Sequence, residues 1–342
     1  MTRRTSTLVA SIVALVAALS LVTLIPVPFV SFSPGPTEDT LGRADNKPVI
    51  EVTGHEVFPT DGQLDLTTVS VTSPNQHLTL PQAMRNWLDP HRDLLPREIV
   101  YPPAKSADEV EEENTQEMTG SQDSAIAAAL QEAKVPFSAK VDTVSKGAPA
   151  DGKLKADDVI LSVDGTRVTE VSQVGELVRE HKVGEPVRFV VRRSEVERTI
   201  TVRTAATPGE ATRPMVGIGV SSKVKVTVHL GRDIGGPSAG LAFALAIYDK
   251  LTPGALLAGR HVAGTGTIDS TGDVGLIGGV QQKIAGARSD GATVFLVPEA
   301  NCAAAADAGV NGIQLVRVGT LHEAVTALTA LAHGGEVPAC TR

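Results

Sequence analysis

The chain has 342 residues, 42% hydrophobic and 20% charged, which is material for two or three globular domains with real cores. A net charge of −8 argues against a nucleic-acid surface, and an aromatic content of 3% leaves few platforms for base stacking. Nucleic acid is therefore not expected as a partner.

The chain opens with Arg3 and Arg4, then an uncharged apolar run from Thr7 to Ile25 that is long enough to span a bilayer. The arginines predict a cytoplasmic tail over 1–6, a transmembrane helix over 7–25 and the remainder outside the cytoplasm, in a cell membrane crossed once. A cleavable signal peptide is the competing reading. No convincing small-x-small cleavage site follows the run, and Pro26-Val-Pro-Phe29 looks like its stop.

The region 26–118 is extended in character. Pro26, Pro28, Pro34 and Pro36 interrupt it, and Val49-Ile-Glu-Val52 and Leu64 to Val71 alternate as strands do. These strands form either their own small sheet or edges of a later domain. Trp87, the sole tryptophan, reads as a packing anchor. Ser106-Ala-Asp-Glu109 has the spacing of a capping box and opens the acidic run Asp108 to Glu113, read as a solvated helix face. A second helical pattern follows, with Ala125, Ile126, Ala129, Leu130 and Ala133 on one side.

Residues 119–206 carry a different signature: a Gly147-Ala-Pro-Ala150 turn, Leu154 to Ile160 with an aspartate entering a strand, and a Val163-Asp-Gly165 hairpin. This stretch resembles a bacterial PDZ domain, a mainly β fold. The resemblance implies a peptide-groove helix around Leu177 and Val178, with Val187 to Val191 and Thr199 to Val202 as closing strands. PDZ domains take extended peptides as an added strand. The glycine-rich binding loop of that family is not evident in Val135-Pro-Phe-Ser-Ala139, which leaves a scaffold or gating role open. Gly147 to Lys153 imitates a phosphate-binding loop, but Leu154 stands where a hydroxyl must reach magnesium, and Pro149 interrupts it. No ATPase signature accompanies it, and no cofactor is implied.

Thr207 to Pro214 reads as a linker, and Val216 to Val220 and Val224 to Val228 as the opening strands of a last domain over 215–332, before a tail at 333–342. In that domain Gly235-Gly-Pro-Ser238 delivers a serine to the start of a helix that is apolar on every side from Leu241 to Ile247. A helix start leaves backbone N–H groups unpaired, so an oxyanion forming beside Ser238 would meet donors already in place; Gly236, Pro237 and Ala239 supply that turn. Further on, a helix from about Gly279 would put Val280, Lys283, Ile284 and Ala287 on one face, with Gln281, Gln282 and Arg288 as its solvated edge. A lysine in apolar surroundings loses hydration of its charged form, and its neutral amine can take a proton from a serine.

Taken with Gly264-Thr-Gly-Thr-Ile268 and Thr293 to Asn301, these four ordered motifs resemble the proteolytic domain of the Lon family of serine proteases, an α/β (α+β) fold. The resemblance implies a catalytic dyad of Ser238 and Lys283, with Thr265 as a hydrogen-bond partner of the amine. Two acidic positions of the family are Gly235 and Thr267 here, which suits a membrane-attached branch without an ATPase. Lon-like domains commonly form rings, so a homo-oligomer is implied by resemblance alone.

Cys302 and Cys340 are the only cysteines. Outside the cytoplasm such a pair is expected to form a disulfide tying the tail to the last domain; a buried Cys302 with a free Cys340 is the other reading. His229, His261, His322 and His333 have no metal-ligand spacing, and no metal is expected.

The combined expectation is a membrane-anchored, ATP-independent serine endopeptidase acting on peptides or proteins. A tail-specific Ser/Lys processing protease and a catalytically idle PDZ adaptor of a membrane complex are the alternatives.

Overall fold

The computed structural model describes residues 3–44, 46–102, 106–135, 139–169, 171–222, 224–230 and 234–341. Residues 1–2 of the expected tail, residues 136–138, Asp233 ahead of the serine turn, and the side chains of Arg3, Arg4 and Asp108 lie outside the described residues.

Helix α1 spans Arg3–Leu24, with Leu8, Val13, Leu15 and Leu21 exposed. Among the described residues no helix is long and apolar enough to cross a membrane, so the transmembrane helix expected over 7–25 is not carried over as an element of the fold.

The region between α1 and the PDZ motif does not form a separate domain. Strands β1 (Phe29–Asp39), β3 (Gln63–Val71) and β4 (Asp93–Pro96) join β11 (His261–Gly264), β12 (Val294–Pro298) and β13 (Gln314–Val318) in one sheet of order β13-β12-β11-β3-β1-β4. The first four run parallel, and β1 and β4 add antiparallel pairs. All five residues of β12 are buried, as a central parallel strand covered on both faces requires. Strand β2 (Ile50–Thr53) pairs with β10 (Lys225–Val228) beside this sheet.

Helix α2 covers Leu80–Leu88, and helix α3 covers Ala107–Glu132 without a break, where two helical segments were expected. The capping box forms: Ser106 N–H donates to Glu109 Oε2 (2.7 Å), and the Glu109 N–H donates to Ser106 Oγ (3.2 Å). Met118, Ala125, Ala128, Ala129 and Leu130 of α3 pack into the same core as Leu241 to Ile247 of helix α5 (Gly240–Leu251). Residues 119–135, placed in the PDZ-like unit by the sequence reading, thus pack in the core that holds α5.

The unit that resembles a PDZ domain in sequence is an antiparallel sheet of order β8-β7-β6-β5-β9, built from β5 (Ala139–Val144), β6 (Val159–Val163), β7 (Pro186–Arg193), β8 (Val196–Arg203) and β9 (Ile218–Ser222), with helix α4 at Val171–Arg179. The Val163-Asp-Gly165 hairpin is tight, with positive φ at Asp164 (48°) and Gly165 (88°) between paired Val163 and Thr166. Two boundaries move. The stretch 207–214, expected as a linker, is most of a hairpin in which Ala205–Thr207 pairs with Glu210–Met215. The strand expected to open the last domain is β9, which pairs along β5 and completes the PDZ sheet.

Helix α6 (Val280–Asp290) lies between two left-handed glycines, Gly279 (φ 66°) and Gly291 (φ 105°). Helix α7 (Leu321–Ala332) closes the fold, and Cys302 and Cys340 form a disulfide that holds the tail against β13, where Val316 bridges to Ala339.

Candidate active site

Ser238 sits in a single 3-10 turn, Pro237–Ala239, between Gly236 and α5. Gly236 has φ 84°, a conformation side chains rarely adopt, and this sets the entry to the turn. Pro237 has no N–H to lose, and Ser238 N–H precedes the first hydrogen bond of the turn, so the turn itself leaves that donor unused. The α5 residues behind it, Leu241 to Ile247, are fully buried, as the all-round apolar pattern requires.

Lys283 reaches the serine from α6. Its Nζ lies 2.7 Å from Ser238 Oγ and 3.0 Å from Thr265 Oγ1. Thr265 follows β11, is fully buried, and its hydroxyl also donates to the Ser238 carbonyl (3.1 Å). The Gly266 N–H donates to that same carbonyl (2.9 Å). Lys283 is only 3% exposed, and burial depresses its amine to about 8. An amine held near that value is substantially neutral under mildly alkaline conditions and can accept the serine proton.

Helix α3 braces the serine turn from behind. Asn114 O accepts from Gly236 N–H (3.2 Å), and Ser121 Oγ donates to Pro237 O (2.9 Å). The approach is close: a Cβ at Gly240 would stand 2.9 Å from Ser121 Oγ and 2.8 Å from Ile268 Cγ2. Sequence reasoning missed this support, because Ser121 precedes Ser238 by more than a hundred residues and carries no local motif.

The face expected on α6 is buried as read, but Gln282 is not on a solvated edge. It is 1% exposed, and its amide donates to Asp93 Oδ2 (2.7 Å) on β4, a contact that exists only because the N-terminal strands complete the sheet. Ser238 and Lys283 open into a cleft of about 540 Å³, also lined by Thr67, Thr68, Val69, Ser70, Met118 and Gly235. Strand β3 pairs with β11 only as far as Leu66, and past that point its 67–71 stretch borders this cleft.

A second cleft lies in the PDZ unit. About 530 Å³ in size, it runs between α4 (Val171, Val174, Val178) and β9 with the residues before it (Val216, Gly217, Ile218, Val220). Strand β9 is the sheet's edge, so its outer side is open to an added strand. Gly217 has φ 78°, and a Cβ there would meet Ala148 Cβ at 2.2 Å. The glycine-containing entry to the groove strand is therefore Gly217-Ile-Gly219, at the C-terminal end of the unit. Its signal was present in the sequence as Val216-Gly-Ile-Gly-Val220, but it lies far from the place before Val141 where such a loop is usually sought. Leu177 packs on the PDZ core, while Val174 and Val178 line the groove.

Of the scattered histidines, His229 meets Glu51 (3.1 Å) and His322 meets Glu132 (2.8 Å). His261 meets Asp65 (2.6 Å) and, with Asp290, forms the one group of potential metal-ligating side chains found among the described residues. Asp290 there already accepts from Thr37 Oγ1 (2.6 Å).

Two family models match the chain. Residues 110–204 match the PDZ domain, and residues 209–328 match the C-terminal proteolytic domain of Lon protease (S16). The chain thus combines a PDZ domain with a Lon-type serine protease domain. The matched ranges follow the sequence and not the sheets: the first takes in most of α3, and the second takes in β9 while leaving out β1, β3 and β4. No curated protein matches the chain.

Among solved structures, the PDZ domain of an SdrC-like protein from Listeria monocytogenes is 22% identical, covering 24% of this chain and 85% of that one, with a TM-score of 0.23. Its counterpart from Listeria innocua is 23% identical over 24% and 92%, with a TM-score of 0.23. A protein from Geobacillus thermodenitrificans is 26% identical over 24% and 94%, with a TM-score of 0.22. Likenesses with TM-scores this low carry no functional weight.

Proposed function

We propose that this chain is an ATP-independent serine endopeptidase in which Ser238 is the nucleophile and Lys283 its general base. The observation that carries the reading is the 2.7 Å approach of Lys283 Nζ to Ser238 Oγ in a pocket dry enough to hold the amine near 8. The neutral amine takes the hydroxyl proton as Oγ attacks a peptide carbonyl carbon. The Ser238 N–H faces the developing oxyanion, and the lysine ammonium returns the proton to the leaving amine. Water, deprotonated by the same amine, then releases the acyl group. Thr265 keeps the amine in place, since its hydroxyl is tied to both Lys283 and the Ser238 carbonyl.

The substrate is an extended peptide lying along residues 67–71 of β3, where the strand no longer pairs with β11 and borders the cleft. The PDZ groove between α4 and β9 holds a second stretch of peptide, which recruits or gates the substrate.

We place the enzyme at a membrane, outside the cytoplasm, attached by the N-terminal apolar segment. Support comes from the uncharged run 7–25, from the exposed apolar side chains of α1, and from the Cys302–Cys340 disulfide, which suits an oxidising compartment. Sequencing the mature N-terminus tests the attachment: a start beyond Ile25 rejects it.

A serine-acylating probe tests the chemistry. Labelling lost in both Ser238→Ala and Lys283→Ala supports the dyad. Labelling that survives Lys283→Ala undiminished near neutral pH rejects the base assignment, and peptide binding without any labelling would leave an adaptor.

A further inference from the structure

Helix α2 is inside out. Nine residues long, it buries Ala83 and Asn86 against the protein and turns Leu80, Met84, Trp87 and Leu88 to the outside. These four stand at i, i+4, i+7 and i+8 and so share one face. Met84 is 55% exposed, Leu88 73% and Trp87 74%, although the sequence marks the tryptophan as a packing anchor. A helix of a water-soluble surface has the opposite polarity, with its large apolar side chains inward. The arrangement is fixed by the chain around it. Pro81 suits the first turn, Gln82 Oε1 accepts from Thr79 N–H (2.9 Å), and the buried Asn86 meets Arg92 Nη1 (3.4 Å).

The position of this face says what covers it. The residues that leave α1, Pro26 and Val27, pair with Thr79 and Leu78, the two residues that lead into α2. Helices α1 and α2 touch, so the exposed apolar side chains of both belong to one end of the molecule. Ile99, 68% exposed, follows β4, which also packs against α2. The only charged residue within α2 is Arg85, exposed on its flank. In a chain of net charge −8, a helix with one arginine and no carboxylate suits an anionic surface.

We propose that α2 lies in the interface of a lipid bilayer as a second, peripheral contact beside α1, with Trp87, Leu88 and Met84 at the level of the headgroups and upper acyl chains. Tryptophan belongs at that depth because its ring is apolar and its N–H remains hydrated, and an apolar face flanked by a basic residue is the usual form of an interfacial helix. The contact fixes the orientation of the protease on the membrane. Strands β3 and β4 flank α2 in sequence and are also part of the sheet that carries the active-site cleft, so a docked α2 holds that cleft close to the bilayer. This inference rests on the membrane attachment proposed above.

Because Trp87 is the only tryptophan, it reports directly on this surface. The full chain is reconstituted into vesicles of phosphatidylcholine and phosphatidylglycerol, either plain or with brominated acyl chains, and tryptophan emission is compared. The expected result is a blue-shifted emission that brominated lipid quenches by about half or more. The double variant Met84→Asp/Leu88→Asp should lose most of that quenching, while short-peptide hydrolysis stays within about twofold of the parent. Three outcomes overturn the proposal. If the chain floats with vesicles but Trp87 is unquenched and open to iodide, the face is in water. If Trp87 is shielded from iodide yet untouched by brominated lipid, protein covers it. If the chain does not float at all, the membrane attachment fails and this inference falls with it.

Discussion

Asp158 in the PDZ unit and Lys283 in the catalytic unit are both buried charged side chains, and the fold treats them in opposite ways. Asp158 is fully buried but meets Arg193 through two contacts of 2.6 Å and accepts from the Lys155 N–H (2.8 Å). Burial alone would raise its carboxyl, but these hydrogen bonds and the guanidinium outweigh that, and the group is held below its ordinary value. Among the described residues Lys283 meets two neutral hydroxyls, and burial lowers its amine. Asp158 keeps its charge because its neighbours satisfy it. The buried amine is less stable as a cation, which is what the proposed role as a base requires. The PDZ unit holds its buried charge through satisfied electrostatics, whereas Lys283 carries an electrostatic deficit beside Ser238.

The largest effects should fall on the amine and its serine. Ser238→Ala and Lys283→Ala should each lower kcat/KM on a short peptide by roughly 10³-fold or more, with circular dichroism unchanged. Lys283→Ala retaining more than a tenth of the activity would mean that the buried amine is not the base.

Breaking the pair in the PDZ unit should act on stability and not on chemistry. Arg193→Ala leaves the Asp158 carboxylate buried without its partner and should cost the PDZ unit about 2–3 kcal/mol, discounted because the arginine is partly exposed. Hydrogen exchange of β5, β6 and β7 would register the loss, while the rate of Ser238 acylation should stay the same. A large fall in acylation would show that the two units are not separable in this way.

The pH dependence sharpens the comparison. With the lysine at about 8, its neutral fraction, and with it kcat/KM, should rise about tenfold per pH unit below that value and level off above it. A profile flat from pH 6 to 9 would contradict a titrating lysine.

The smallest effect concerns another buried charge, one whose partners do not offset its burial. Asp249 is fully buried at the end of α5. Desolvation raises its carboxyl to about 6, although the Leu256 N–H donates to Oδ1. Among the described residues its Oδ2 has no hydrogen-bond partner. Because the folded value lies above the unfolded one, the folded state binds the extra proton between about 4 and 6, so stability falls as pH rises through that window. Asp249→Asn should therefore raise the melting temperature above pH 6, by a gain of about 1 kcal/mol, and make no difference near pH 4. An asparagine that destabilises at pH 7.5 would indicate a further partner that favours the ionised carboxylate.

The chain's local signals were readable at the site itself. A glycine-rich turn before an all-apolar helix places Ser238, a helix whose apolar face includes Lys283 places the amine, and the motif between them places Thr265. The first two depend on backbone preferences and periodicity within about a dozen residues, which a sequence carries openly, whereas Thr265 came only from the resemblance to the Lon family. The Cys302–Cys340 bond was also expected, from the number of cysteines and the compartment.

What the tertiary structure alone decided is which distant segments meet. Strands β1, β3 and β4 join a sheet whose other strands lie beyond the PDZ unit, and β9 returns to pair with β5 after the rest of that unit is complete. Ser121 reaches the Pro237–Ala239 turn, Gln282 reaches Asp93, and Trp87 faces outward for the same reason. Strand pairing and burial are settled by the joint packing of many elements, and alternation along one strand names its faces but not its neighbour. The sequence by itself determined the chemistry that Ser238 and Lys283 could perform; the meeting of remote strands and helices decided the cleft in which they would perform it.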